Sequence, residues 1–289
     1  MTINDGVTML QPSDSSSGLT SGWYSTPAAG TTPANLTING GVFASNGITV
    51  KNDEVSNLNI TGGTFDGVDG YEANQSIQNW TTATIEDGTF NSQVISWSQK
   101  AADGTIVIQG ELSITGGAFN SGVGAICSTA GGNEQVVEGL TVSAGNFKNG
   151  IWSSYVAEGS VFYPAEDGTY KVVTEEEFET VTDNAGVALM NGVVYDSLAD
   201  AVDAAPTDGT QVTITLIDTD GDGTVTGSGV KVVEGKNIVI DFDGLTYDVT
   251  NPTVGSPGTE TNGFQLLKGS TVKMMNGTFG SDAALLLTQ

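Results

Sequence analysis

A chain of 289 residues with 34 acidic and 8 basic side chains carries a formal net charge of −26. That balance argues against nucleic acid, whose phosphates need clustered Lys or Arg, and against insertion into or docking on an anionic membrane. All the basic residues are Lys, and with no His and no Arg, imidazole-dependent triads and histidine-containing zinc sites are excluded by composition.

The chain opens on MTINDGVTM, a phrase that returns in fuller form as LTINGGVFAS at Leu36–Ser45. It recurs as LNITGGTFDG, ATIEDGTFNS, LSITGGAFNS and LTVSAGNFKN, and near the end as VKMMNGTFGS. Aligned on the aromatic residue, Phe43, Phe65, Phe90, Phe119 and Phe147 follow at intervals of 22, 25, 29 and 28 residues. Before each Phe an apolar pair alternates with polar residues: Leu36/Ile38, Leu58/Ile60, Ala83/Ile85, Leu112/Ile114, Leu140/Val142. A period of two marks a strand with one buried face. Two residues before each Phe stands a Gly, which fits a turn of positive φ or a close backbone approach. In MTINDGVTM, Ile3 and Gly6 fall in the same columns, with Thr8 in place of the Phe.

A unit of this size cannot bury its apolar face alone, whereas stacked copies share one core. The units lack helical periodicity, so the expected fold is all-β: a parallel β-helix whose coils climb by roughly 4.8 Å each. The phrase at the start and AALLLTQ at the end both read as parts of coils, which leads us to expect a piece of a longer chain or a processed product. Cys127, alone in the apolar VGAICSTA, can form no internal disulfide and reads as a buried core residue.

Trp80, Trp97, Trp152, Tyr71 and Tyr155 lie between the core columns, in the longer connections. Exposed there, they would stack on sugar rings; the same residues would equally serve to pack their own loops. After Phe147 the pattern breaks. A turn is expected around Asp167-Gly168, and TEEEFET reads as a solvated linker. The reading therefore divides the chain into residues 1–165, a linker over 166–186, and residues 187–289. A helix is expected over 196–205: Asp196 or Ser197 is the N-cap, Leu198, Ala201, Val202 and Ala205 follow at helical spacing, and Pro206 and Gly209 end it. A strand, QVTITLI, comes next.

This helix and strand, Y-x-S-L-x-x-A-V-x-A-A followed by G-T-x-V-T-I-T-L, resemble the capping start of pectate-lyase-like right-handed β-helices. VEGKNIVIDFDGLTYDV and GTETNGFQLLKGSTVKMMNGTF are similar to early coils of such helices in large bacterial surface proteins. The GG-x-F coils and the ending YVAEG…DGTYKVV are similar to modules found beside them. The resemblance implies two consecutive right-handed β-helices, the second capped by the short amphipathic helix, at an extracellular or bacterial-surface location.

The lyases of that superfamily use Arg or Lys beside a carboxylate, usually with calcium, and the polygalacturonases carry GHG and RIK. This chain has neither His nor Arg, so the latter two cannot exist here. A glycosidase built on two carboxylates alone stays compatible with the composition, since it needs only a separation of roughly 5–10 Å.

The sharpest local motif is DTDGDGT, in which Asp218, Asp220 and Asp222 stand at the spacing of the first half of a calcium loop. Position 12 of such a loop would be Gly229 rather than Glu, and strands are expected on both sides, so the motif also fits an acidic turn. The expected function is a non-catalytic extracellular β-solenoid, adhesive or structural, with a polysaccharide or host glycan as partner and calcium as the candidate cofactor. A polysaccharide-degrading enzyme and a phage or virion appendage are the alternatives.

Overall fold

The computed structural model describes residues 1–22, 30–68, 73–281 and 285–287. The protein is mostly β, 56% strand and 5% helix, with long parallel sheets. It forms two compact units: Met1–Ser160 with Thr169–Glu175, and Val161–Gly168 with Glu176–Gln289.

In the first unit, strands Thr2–Ile3, Ala34–Ile38, Ser56–Asp66, Thr82–Phe90, Glu111–Phe119 and Leu140–Phe147 each pair in parallel with the next in sequence. The pairing sets Ile38 beside Ile60, then Ile85, Ile114 and Val142. It also sets Phe43 beside Phe65, Phe90, Phe119 and Phe147. All ten side chains are buried. The five phenyl rings form one stack, with successive centroids 5.2, 4.8, 4.9 and 4.9 Å apart and interplanar angles of 10° or less. The Phe position of the opening phrase belongs to Met9, which pairs with Phe43, while Thr8 pairs with Val42. The expected column is thus displaced by one residue.

The glycine before each Phe has both of the proposed reasons to be there. Gly117 has φ +104°, and a Cβ on it would approach the carbonyl oxygen of Gly88 to 3.1 Å. Backbone therefore lies against backbone at this bend.

A second sheet runs through Ser17–Ser21, Ile48–Asn52, Gln75–Asn79, Val94–Lys100 and Val123–Thr129, all parallel. Gly132–Val136 closes one side antiparallel, and Ile106–Gln109 folds back on Val94–Lys100. Its inner face is partly polar. Asn52 and Asn79 are both fully buried, and the Asn52 Nδ2 donates to Asn79 Oδ1 at 2.8 Å. Asn79 Nδ2 donates to the carbonyls of Thr81 (2.6 Å) and Glu111 (3.2 Å). These amides add hydrogen bonds to carbonyls where the chain passes between strands; that of Thr81 also accepts from the Glu111 N–H at 2.8 Å. Cys127 is buried on this sheet.

In the second unit, Gln211–Leu216, Asn237–Asp241 and Thr271–Met275 are parallel and in register, as are Thr224–Ser228, Thr246–Asn251 and Thr278–Ser281 apart from a shift between Gly227 and Ser228. Val230–Val232, Phe264–Leu266 and Leu285–Leu287 form a third such set. Ala188–Met190 and Val193–Tyr195 make a hairpin whose turn, Asn191-Gly192, has positive φ at both residues, as Asn-Gly hairpins do. Where TEEEFET reads as a solvated linker, Glu175–Phe178 forms one helical turn. Its glutamates are exposed, but Phe178 packs on Tyr163 with centroids 5.3 Å apart, which gives the segment an apolar anchor.

The helix spans Leu198–Ala204, with Ser197 as N-cap: its Oγ accepts from the Asp200 N–H at 3.0 Å. Leu198, Ala201 and Val202 pack into a core with Ile214, Val230, Ile238, Ile240 and Tyr247. Lys236 is 3% exposed, and its ammonium donates to the carbonyls of Val202 and Asp203 at the helix C-terminus. Burial pushes its pKa below the usual lysine value, partly offset by Asp203. Lys236→Met should take the ammonium from both carbonyls, leaving Val202 only the Ala205 N–H, and cost about 1–3 kcal/mol, read as a lower urea midpoint of the second unit.

Candidate functional site

The DTDGDGT loop follows strand Gln211–Leu216 and leads into Thr224–Ser228. A carboxylate oxygen of each of Asp218, Asp220 and Asp222 lies within 4.8 Å of the other two. The loop is folded by its own carboxylates. Asp218 Oδ1 accepts from the Gly221 N–H at 2.8 Å and Oδ2 from the Gly223 N–H at 3.0 Å. Asp222 Oδ1 accepts from the Thr224 N–H at 2.7 Å. The hydrogen bonds from Gly221 and Gly223 hold the Asp218 carboxyl below its ordinary pKa, so it remains anionic in mild acid. Gly229 cannot be exchanged for a ligand, because a Cβ there would meet the Asn262 carbonyl oxygen at 2.6 Å. The loop therefore offers three carboxylates, and the remaining oxygens of a six- to eight-coordinate ion would come from water or backbone.

The aromatic candidates separate into three cases. Trp80 and Trp97 come together as a stacked pair, centroids 5.3 Å apart and 20° between planes. Both are half-buried on the outer side of the second sheet, opposite the buried Asn79, Ser96 and Ser98. Their indole N–H groups donate to the carboxamide oxygens of Gln78 (3.2 Å) and Gln75 (3.4 Å). The pair is thus fixed in orientation, with one face of each ring used by the other. Trp152 is 46% exposed and stacks on Tyr155 at 5.8 Å.

Tyr155 itself leaves the set of ligand contacts. It is 1% exposed; its hydroxyl donates to the Val136 carbonyl at 2.8 Å and accepts from the Ala125 N–H at 3.2 Å. The ring is a structural anchor and presents no face to a sugar. Tyr71 lies outside the described residues.

A groove of about 300 Å³ opens beside the indole pair. It is lined by Gln93, Ile95, Gly122, Gly124, Ile126 and Gln135, of which Ile95 and Gly124 are themselves buried. Ile126 is the register partner of Trp97, and Ile95 that of Gly124. The Gln135 carboxamide donates to the Tyr155 hydroxyl at 3.3 Å, which fixes its place in the lining. The sequence signal for this groove was the alternate pair of glycines in SGVGAICS, which belongs to neither the Phe nor the corner-glycine column. The chain matches no family model, no curated protein and no solved structure.

Proposed function

We propose that this chain is a non-catalytic extracellular module, structural and adhesive, that binds carbohydrate through the outer face of its second sheet. In this reading each unit is a right-handed parallel β-helix, and the helix Leu198–Ala204 caps the start of the second. The in-register Phe stack supports the β-helix, since it requires successive lengths of chain to return to the same place. The resemblance to pectate-lyase-like repeat modules of bacterial surface proteins supports the location. The observation that carries the ligand class is the indole pair, oriented by Gln75 and Gln78 on an outward face. Rigid aromatic surface beside carboxamides suits sugars, which present C–H faces and hydroxyls together.

The test is incubation with a panel of polysaccharides, scoring retention and product release separately. Retention without new reducing ends is expected, and Trp97→Ala should weaken it by roughly tenfold. New reducing ends or unsaturated products would instead establish the enzyme reading.

The reading includes calcium at Asp218, Asp220 and Asp222, supported by the convergence of the three carboxylates. Binding in the millimolar range is expected because the bidentate ligand of position 12 is missing. Calorimetry should register heat with millimolar calcium that Asp220→Asn with Asp222→Asn removes. No heat from the unsubstituted protein would dispose of the site.

A further inference from the structure

A second groove, of about 470 Å³, runs over the corners before the Phe column in the opening coils of the first unit. Its accessible side chains are Asp5, Val7, Val42, Thr64, Asp87 and Thr89. Val7 and Val42 are 42% and 45% exposed. They are neighbours, since the Val42 N–H donates to the Val7 carbonyl at 2.9 Å, and together they leave apolar surface in water. Val7 stands where the next coils have Gly41 and Gly63, because Thr8 is the register partner of Val42, and Val42 that of Thr64. A carboxylate lies toward each end of the groove. Asp5 belongs to the first coil, and its Oδ1 rests against Gly40, where a Cβ would collide with it. Asp87 belongs to the fourth coil as register partner of Thr61, and its Oδ1 accepts from the Gly88 N–H at 2.7 Å. Two to three coil steps separate the two acids, on the order of 10–14 Å. Both are exposed, neither has an ion-pair partner among the described residues, and no lysine lines the groove.

We infer that this groove binds a linear aliphatic diamine or polyamine, with one ammonium group at Asp5, another at Asp87 and the methylene chain lying on Val7 and Val42. The Thr64 and Thr89 hydroxyls are placed to accept from an internal ammonium of a polyamine. Charge complementarity carries the ligand class. The only charged side chains of the groove are two carboxylates set apart, and the stretch between them is apolar or hydroxyl-bearing. The net charge of −26 draws cations toward the chain and repels a polyuronate. Calcium does not fit, because its oxygens must lie within about 2.6 Å of one ion and these carboxylates do not converge. One exposed ion pair is worth little, so affinity needs both ends and the apolar contact at once, which makes the length of the ligand decisive. None of these residues belongs to the indole pair, and the inference stands apart from the carbohydrate reading.

The experiment is isothermal titration of the whole chain at low salt with putrescine, hexamethylenediamine, octamethylenediamine and decamethylenediamine, all dications, and with octylamine as the one-ended control. The two longest diamines should bind roughly tenfold or more tightly than putrescine, which is too short to reach both carboxylates, and than octylamine. Asp5→Asn with Asp87→Asn should remove that advantage and leave the melting temperature unchanged, since both side chains are exposed. Asp103→Asn with Asp208→Asn removes the same charge from exposed turns elsewhere, keeps the oxygens that accept from Thr105 and Thr210, and should leave the advantage intact. Equal affinity for every diamine, or equal weakening by the two double variants, would reveal diffuse attraction to a polyanion and overturn the inference. No binding by any diamine would overturn it as well. Binding of oligolysine without binding of any diamine would assign the groove to a basic peptide and overturn the ligand class.

Discussion

Phe90→Ala is expected to destabilise the first unit by about 3–5 kcal/mol, seen as a large drop in the urea midpoint. Phe90 is fully buried in the middle of the phenyl stack, with Phe65 at 4.8 Å on one side and Phe119 at 4.9 Å on the other. Truncation removes the transfer energy of the ring and both stacking contacts, the latter about 0.5–1.5 kcal/mol each though not additive. The cavity cannot readily collapse, because the flanking strands are locked in register by parallel pairing. Phe43→Ala should cost less, because Phe43 has a ring on one side and the flexible Met9 as its pairing neighbour on the other. Equal losses at Phe43 and Phe90 would mean that the stack does not act as a continuous core.

Asn79→Ala should cost about 1–3 kcal/mol, since it takes several hydrogen bonds from buried groups at once. The side chain is 0% exposed, and its loss removes the hydrogen bonds to the Thr81 and Glu111 carbonyls and to the Asn52 Nδ2 in one step, though the Thr81 carbonyl keeps the Glu111 N–H and the Asn52 amide keeps the Thr82 carbonyl. Asn79→Asp is the sharper probe. A carboxylate cannot donate to either carbonyl, and burial with no cation among its hydrogen-bond partners favours the protonated form. Its folded pKa would then lie above the unfolded value of about 3.9. Stability is then greatest in acid and is lost as pH rises from about 4 upward, the reverse of an ordinary paired carboxylate. Urea midpoints measured between pH 3.5 and 7 would read this slope; a flat profile would place the side chain in solvent.

How much of this was legible in the sequence follows from which features repeat. The Ile and Phe columns could be read because apolar residues recur where a strand must bury one face, and parallel pairing leaves them side by side. The shift from Thr8 to Met9 could not, since the opening phrase lacks the aromatic that anchors the alignment. The amides of Asn52 and Asn79 were hidden because Asn is also the common residue of turns, and nothing in the one-dimensional pattern marks a buried one. Trp80 and Trp97 stand 17 residues apart, well short of the 22 to 29 of the Phe spacing, so their pairing in space was concealed by a short connection. Tyr155 illustrates a different limit. Composition supplied an aromatic, but only the positions of Val136 and Ala125 reveal that its hydroxyl is a backbone anchor. The acidic stretch at Glu175–Phe178 looked solvated because its charges dominate, while its one apolar residue decides its structure.

The account stands or falls on successive lengths of chain lying one above another in a fixed register. Disulfide trapping reads that directly. In a Cys127→Ser background, Thr84→Cys with Ser113→Cys places two outward cysteines on register partners, whose Cα atoms are about 4.8 Å apart, within disulfide reach. Asn59→Cys with Ser113→Cys skips one strand, at about twice that distance, out of reach. Rapid cross-linking of the first pair and none of the second under mild oxidation is the predicted result. Equal cross-linking of both pairs, or failure of the first pair in folded protein, would contradict the register and with it the proposed solenoid.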